Sequence, residues 1–319
     1  MRLDFAPMEG ITGYRHRLTH HQIFGGVDRY YMPFISPTIH RCFTHRELRD
    51  ISPEHNAGIH AVPQVLCKVP EDFCWAAGEL QAMGYQEVNL NLGCPSGTVV
   101  SKRKGSGMLL DLEGLEAFLS EVYNKATVPI SIKTRLGLEH PEEFERILEI
   151  FNQFPICELT IHPRVRKEFY KGEVHMDAFR QAANTANMPL CYNGDVVTAE
   201  GASAIAEEFP QLRGIMVGRG LLRNPALARQ YKGGAPATRE EIRTYHYTLL
   251  EGYIQDFQSA RNGLLRMKET WSHLIGLFAD SDRWGKRLMK SQTPAEFSAV
   301  VEELLKNAPF EGEILEMKG

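Results

Sequence analysis

Short apolar runs recur along the first two-thirds of the chain, each followed by a helix-length stretch of mixed polarity. Eight runs read as strands, at residues 3–6, 30–33, 61–66, 87–90, 130–133, 158–162, 190–193 and 215–217. The stretches 71–83, 112–124, 141–154, 177–186 and 199–209 carry the period of amphipathic helices. Strands alternating with helices predict an α/β fold around a parallel sheet. Eight such units in about 230 residues approach the ~250 residues of a TIM (β/α)8 barrel.

A doubly wound open sheet is the competing arrangement, and the placement of polar residues decides against it. Pro7 and Met8 follow the first run, and Gln64 lies in the third. Asn91 and Cys94 follow the fourth, Lys133 ends the fifth and His162 the sixth. Asn193 and Gly194 end the seventh, and Gly218 and Arg219 follow the eighth. A closed barrel gathers these strand ends at one mouth, whereas an open sheet spreads them along a crevice.

The pattern changes near residue 232. Residues 232–238 (Lys-Gly-Gly-Ala-Pro-Ala-Thr) read as a joint, and Thr238 with Glu241 forms a capping-box signature. From 239 to 308 apolar residues recur at helical spacing: Ile242, Tyr245, Leu249, Tyr253 and Phe257, then Leu264, Leu265, Trp271, Leu274 and Leu277, then Phe297, Val300, Val301, Leu304 and Leu305. The expected organisation is a barrel domain over 1–231, a linker over 232–238 and a helical bundle over 239–319.

Composition narrows the class without specifying it. With 319 residues, 43% hydrophobic and 24% charged, the chain reads as a soluble globular protein rather than a disordered or fibrous one. No stretch approaches the ~18 apolar residues of a membrane span, and the N-terminus lacks a signal-peptide pattern. Six scattered cysteines with no zinc-ligand spacing predict a reduced, cytoplasmic protein without a structural metal.

The candidate chemistry sits at the predicted strand ends. Glycines 214, 218 and 220, with Asn193-Gly194-Asp195, suggest loops that hold the phosphate of a cofactor. Lys133 closes an apolar strand, where an ammonium suits either a Schiff base or the neutralisation of an electron-rich ring. His162 ends the next strand. Cys94 lies in Asn91-Leu-Gly93-Cys94-Pro95, with Lys102, Arg103 and Lys104 close behind to perturb its thiol, and it suits either a nucleophile or a general acid. Cys67, Cys74, Cys157 and Cys191 read instead as buried packing residues.

A net charge of −4 argues against wholesale wrapping of nucleic acid, yet the basic residues are local. Arg164, Arg166, Lys167 and Lys171 follow His162. The segment 261–290 holds seven basic residues (Arg261, Arg266, Lys268, Arg283, Lys286, Arg287, Lys290) against three acidic ones, with Trp271 and Trp284 among them. These runs read as a footprint for a phosphate backbone. Acidic residues gather in the tail, at Glu302, Glu303, Glu311, Glu313 and Glu316.

Taken together, these residues resemble the tRNA-dihydrouridine synthases, flavoenzymes that reduce a uridine of tRNA. The likeness rests on Ala6-Pro7-Met8-Glu9-Gly10, Asn91-Leu-Gly93-Cys94-Pro95, Lys133-Thr-Arg135-Leu-Gly137, His162-Pro-Arg164-Val-Arg166 with Tyr170-Lys-Gly172, Asn193-Gly194-Asp195 and Gly218-Arg219-Gly220. It spans the barrel, and the C-terminal helices resemble the family's tRNA-binding bundle.

The resemblance implies FMN, contacted by Pro7, Met8, Gln64, Lys133 and His162 at its ring and by Asn193, Gly194, Asp195, Gly218 and Arg219 towards its phosphate. It implies NADPH as reductant, Cys94 as the proton donor and Asn91 as a contact to the base. Lys104, Arg164, Arg166, Arg266, Lys268, Lys286, Arg287 and Lys290 are the expected tRNA contacts, and a monomer is expected. Two departures stand out: Asn89 where the family commonly has Asp, and Pro163 and Val165 beside His162 and Arg164. The other readings are an FMN barrel acting on a free pyrimidine, like a dihydroorotate dehydrogenase, a Lys133 Schiff-base lyase, and a tRNA-binding protein without turnover.

Overall fold

A computed structural model describes residues 1–310 and 312, so Glu311, Glu313 and Glu316 lie outside the described residues. Nine short strands form one parallel sheet: β1 (Arg2–Phe5), β2 (Arg29–Tyr31), β3 (Ala61–Val62), β4 (Gln64–Val65), β5 (Val88–Leu92), β6 (Ile130–Arg135), β7 (Leu159–His162), β8 (Leu190–Tyr192) and β9 (Gly214–Val217). Their order is β3-β2-β1-β9-β8-β7-β6-β5-β4. The sheet therefore begins and ends on two strands that are consecutive in the chain, and it forms the nearly closed barrel the pattern predicts.

The ninth strand arises because the third predicted run is divided at Pro63, which has no N–H to give to a ladder. Before the proline, Ala61 and Val62 pair with Tyr30 and Tyr31; after it, Gln64 and Val65 pair with Asn89 and Leu90. The Pro63 carbonyl still accepts from Asn89 N at 2.9 Å. Ala6, just past β1, packs with Tyr31, Val62, Cys191 and Met216 in one buried cluster.

The described residues pack as two compact units. One comprises Met1–Pro7, Arg29–Gly194 and Glu208–Met216 and carries nearly all of the sheet. Of the five predicted helices, Pro70–Ala82, Leu112–Lys125, Glu143–Phe151 and Met176–Thr185 form in this unit, and Ala199–Glu208 forms almost wholly in the other. In Glu143–Phe151, Phe144, Ile147, Leu148, Ile150 and Phe151 are buried, which is the apolar stripe a surface helix needs.

At the N-terminal ends of the strands lies an ionic cluster. The Arg2 guanidinium donates to Asp4 at 2.8 Å and to Glu158 at 2.6 Å, and Arg29 donates to Glu87 at 3.0 Å. Tyr31 Oη also donates to Glu158, at 3.4 Å. Asp4 and Glu158 are almost fully buried. Burial, reinforced by the neighbouring Glu158 charge, pushes the Asp4 carboxyl up to about 7 in spite of Arg2.

The second unit comprises Met8–Asp28, Asp195–Glu207 and Val217–Gly319. Its C-terminal helices are Arg239–Phe257, Ala260–Leu274, Ser281–Lys290 and Pro294–Asn307. The expected capping box is present: Thr238 Oγ1 accepts from Glu241 N, and Glu241 Oε2 accepts from Thr238 N at 2.8 Å. Ile242, Tyr245, Leu249, Trp271, Phe297 and Leu304 form its core. Leu265, expected in that core, is 54% exposed. Among the described residues no helix is long and apolar enough to cross a membrane.

Candidate active site

The mouth of the barrel is organised by strand register. Asn91 on β5 pairs with Lys133 on β6, and Arg135, two residues on and so on the same face, pairs with His162 on β7. Gln64, Asn91, Lys133 and His162 are thus brought to one end of the sheet.

Cys94 is held through a chain of amides. Asn89 Nδ2 donates to Ser131 Oγ at 2.8 Å, and Gln64 Nε2 donates to Asn89 Oδ1 at 2.7 Å. Asn91 Nδ2 donates to Gln64 Oε1 at 2.7 Å. With one amide N–H given to Gln64, Asn91 turns its Oδ1 to accept from Gly93 N at 3.1 Å and Cys94 N at 2.9 Å. The Cys94 carbonyl accepts from Ser106 Oγ at 2.8 Å. Gly105 closes this loop at φ +56°, where a Cβ would lie 3.0 Å from Cys94 Cβ.

Cys94 is partly exposed. Cys67 and Cys191 are buried, whereas Cys74 and Cys157, expected to be buried, are only partly so. Burial still raises all four thiols, that of Cys157 to about 12, which suits packing rather than reactivity.

Lys133 makes no hydrogen bond or ion pair among the described residues. Burial of its ammonium, with the Arg135 charge nearby, pulls its pKa down to about 7. An uncompensated cation at the mouth fits an anionic or electron-rich group. Arg135 itself is spoken for: Nε donates to Gly93 O at 2.9 Å, Nη1 donates to Val165 O at 3.2 Å, and its guanidinium lies 5.2 Å from the Tyr170 ring centroid.

His162 lies against Arg164 Nη1 at 3.1 Å, and its ring stacks on Tyr170 at 6.1 Å. Arg164 is 1% exposed and donates to the carbonyls of Lys171 and Gly172, so it braces the loop from within instead of facing solvent. Arg166 keeps a buried Nε with no partner. Lys104 donates to Ser36 Oγ at 2.8 Å and so ties the loop carrying Cys94 to the loop after β2. Asn193 Nδ2 donates to Met216 O at 2.7 Å, and a Cβ at Gly194 would meet Tyr192 Oη at 1.9 Å, so glycine is required there.

In the second unit, Met8 N donates to Thr12 Oγ1 at 2.8 Å. Gly218 caps the short helix Arg219–Arg223, and Arg219 donates to Asp195 at 2.7 Å. Arg223, which the sequence reading did not single out, sits close enough to Arg219 and deep enough for its pKa to fall. Two neighbouring arginines with one carboxylate leave positive charge to spare, which fits a phosphate. The missed signal is the spacing of four between Arg219 and Arg223, one helical turn.

The expected tRNA contacts divide. Lys286 and Lys290 are exposed, whereas Arg287 pairs with Glu303, Arg266 donates to Glu269 at 2.8 Å and Lys268 donates to Met289 O at 2.8 Å. Trp271, read as interleaved with this basic run, is fully buried and donates to His246 Nδ1 at 3.1 Å. Trp284 is also buried, with the guanidinium carbons of Arg283 and Arg287 lying 5.5 and 4.9 Å from the centroid of its ring.

Comparison with known proteins bears on the fold and the family. A solved structure of morphinone reductase superposes with a TM-score of 0.52 at 13% identity, covering 76% of this chain and 88% of that one. A variant of NCR from Zymomonas mobilis gives 0.50 at 17%, covering 76% and 90%. These likenesses speak to the barrel fold. Among curated proteins, tRNA-dihydrouridine synthase B of Pasteurella multocida is 30% identical over 231 residues, 72% of this chain and 68% of its own. A probable tRNA-dihydrouridine synthase of Staphylococcus aureus is 28% identical over 240 residues, 73% and 72% respectively. The family model described as "Dihydrouridine synthase (Dus)" matches residues 4–309, and the chain therefore belongs to the dihydrouridine synthase family.

Proposed function

We propose that this protein is an FMN-dependent, NADPH-driven tRNA-dihydrouridine synthase of the cytoplasm, which reduces the C5=C6 bond of a uridine in tRNA. The observation that carries the reading is the fixing of Cys94 by Asn91, whose strand neighbour is the unpartnered Lys133. FMN, when bound, supplies the hydride for C6. Cys94 Sγ gives the proton to C5, so the two hydrogens come from separate donors.

The chain's own residues supply the rest. Lys133, with its lowered pKa, can take up a proton and meet negative charge on the cofactor ring, while His162, whose Nε2 accepts from Arg164, lies at the ring's polar edge. Pro7, Met8, Gln64, Asn193 and Gly194, together with Asp195, Gly218, Arg219 and Arg223, complete the FMN contacts. Asn91 orients the uracil once the base is drawn from its stack. Exposed Lys286 and Lys290, with the lysines after Cys94 and His162, hold the flanking backbone.

The test is to incubate the yellow, flavin-loaded protein with NADPH and unmodified tRNA transcripts and to measure dihydrouridine. Formation on tRNA but not on free uracil or orotate is expected. Equal turnover of a free pyrimidine would hand the site to the dehydrogenase reading, and a colourless protein with no affinity for FMN would sink both.

A further inference from the structure

Between β7 and the helix Met176–Thr185 the chain makes a loop whose tip carries two exposed aromatics, Phe169 (43% exposed) and Tyr170 (49%). Lys171 N donates to Glu168 O at 2.9 Å, closing a four-residue turn over 168–171. Phe169 occupies the second position of that turn at φ +52°, ψ −100°, the geometry of a type II′ turn. Glycine is the ordinary residue there, because a side chain at positive φ meets its own backbone. A bulky aromatic in that place is held against the preference of the backbone.

The loop around it is braced so that it does not relax. Glu168 Oε2 accepts from Val165 N at 2.8 Å, and Glu168 Oε1 pairs with His175 Nε2 at 2.8 Å. His175 N donates to Pro163 O at 2.8 Å, and Arg164 clasps the carbonyls of Lys171 and Gly172. One side of the Phe169 ring is covered by the Arg166 guanidinium, 5.8 Å from its centroid, while the side chain remains substantially exposed. Lys167 and Lys171 flank the tip.

We propose that Phe169 is a stacking platform for a nucleobase of the RNA strand next to the reduced uridine. A rigid, strained aromatic backed by a cation and flanked by lysines suits a base with its phosphates better than an apolar protein surface, since stacking tolerates any base and the lysines answer the backbone. The inference rests on the reading of the chain as an RNA uridine reductase.

The experiment uses the flavin-loaded full chain and four variants at this position, with KM and kcat for an unmodified tRNA transcript and a direct Kd for a uridine-containing single-stranded oligonucleotide. Phe169→Ala and Phe169→Leu should each raise KM and Kd about tenfold, with kcat within about twofold. Phe169→Tyr should bind as the wild type does. Phe169→Gly should lose affinity as the alanine variant does, while its melting temperature is no lower than the wild type's, because the turn is relieved.

Unchanged KM and Kd in the alanine and leucine variants overturn the proposal, as they would if the ring served a protein partner. So does an equal loss in the tyrosine variant, which would mark a packing requirement. If the wild type reduces no transcript, the functional reading fails instead, and the oligonucleotide Kd still decides the platform.

Discussion

At the N-terminal ends of the barrel strands, three carboxylates meet two arginines: Asp4 and Glu158 share Arg2, and Glu87 takes Arg29. At the C-terminal ends the amides of Gln64, Asn89 and Asn91 are mutually satisfied, but the cation beside them, Lys133, is not. Both ends are polar and both are largely buried. The difference lies in whether the charge is answered within the chain. A closed ionic cluster serves the fold, and a cation left unanswered at the mouth suits an anionic or electron-rich group.

The sharpest way to break the comparison is at the mouth. Cys94→Ala should leave the melting temperature and the binding of FMN and tRNA unchanged while slowing dihydrouridine formation by about 10²–10⁴-fold. Turnover at the wild-type rate would remove Cys94 from its role.

At the base the signature should be the reverse. Arg2→Met strands two buried carboxylates and should cost about 3–5 kcal/mol, seen as a melting point lower by roughly 10 °C, with kcat at 25 °C close to the wild type's. A loss of kcat without a loss of stability would mean that the two ends are not separable.

The smallest effect concerns Lys133 and pH. In the folded, cofactor-free protein it loses its proton near pH 7, whereas in the unfolded chain it keeps it up to its ordinary 10.5. Between those values the unfolded chain binds the extra proton, so this residue makes stability rise with pH across that window; below about 7 the full cost of burying the ammonium remains. Lys133→Met should stabilise the cofactor-free protein by about 2 kcal/mol at pH 6 and flatten that rise, while weakening FMN binding. Asp4 works in the opposite sense, because its raised pKa lends stability that is lost as pH rises towards 7. Denaturation curves at pH 6, 8 and 9 for the variant and the wild type check the slope.

Much of the barrel was legible because its strands are mostly buried and its longer helices carry an apolar stripe. Among the helices that were not are Tyr14–Ile23 and His45–Ile51. The first buries Tyr14, His16, Arg17, Thr19 and His20, a polar face with no hydrophobic period. Its burial is made tolerable by specific bonds, such as Tyr245 Oη with His16 Nε2 at 2.9 Å and Arg17 to Thr12 O at 2.8 Å, which no pattern announces.

The candidate site residues were legible as types at strand ends, but their duties were not. Arg164 and Arg166 look alike in sequence, yet one braces a loop from inside and the other keeps a buried nitrogen unpartnered. Leu265 and Trp271 lie on one helix, and only packing separates the exposed leucine from the buried tryptophan.

The break at Pro63 has a mechanical consequence. Before the proline the strand pairs with β2, and after it Val65 bridges Ile35, with Ile35 N donating to Gln64 O at 2.8 Å and Leu66 N to Ile35 O at 2.9 Å, so one run of chain serves two sets of partners. Gln64 is the first residue beyond the proline, and the amide chain that ends at Cys94 starts from there. The sulfur's loop is thus tied, amide by amide, to the residue at which the strand changes partners, so a shift of the chain at Pro63 is passed on to Cys94.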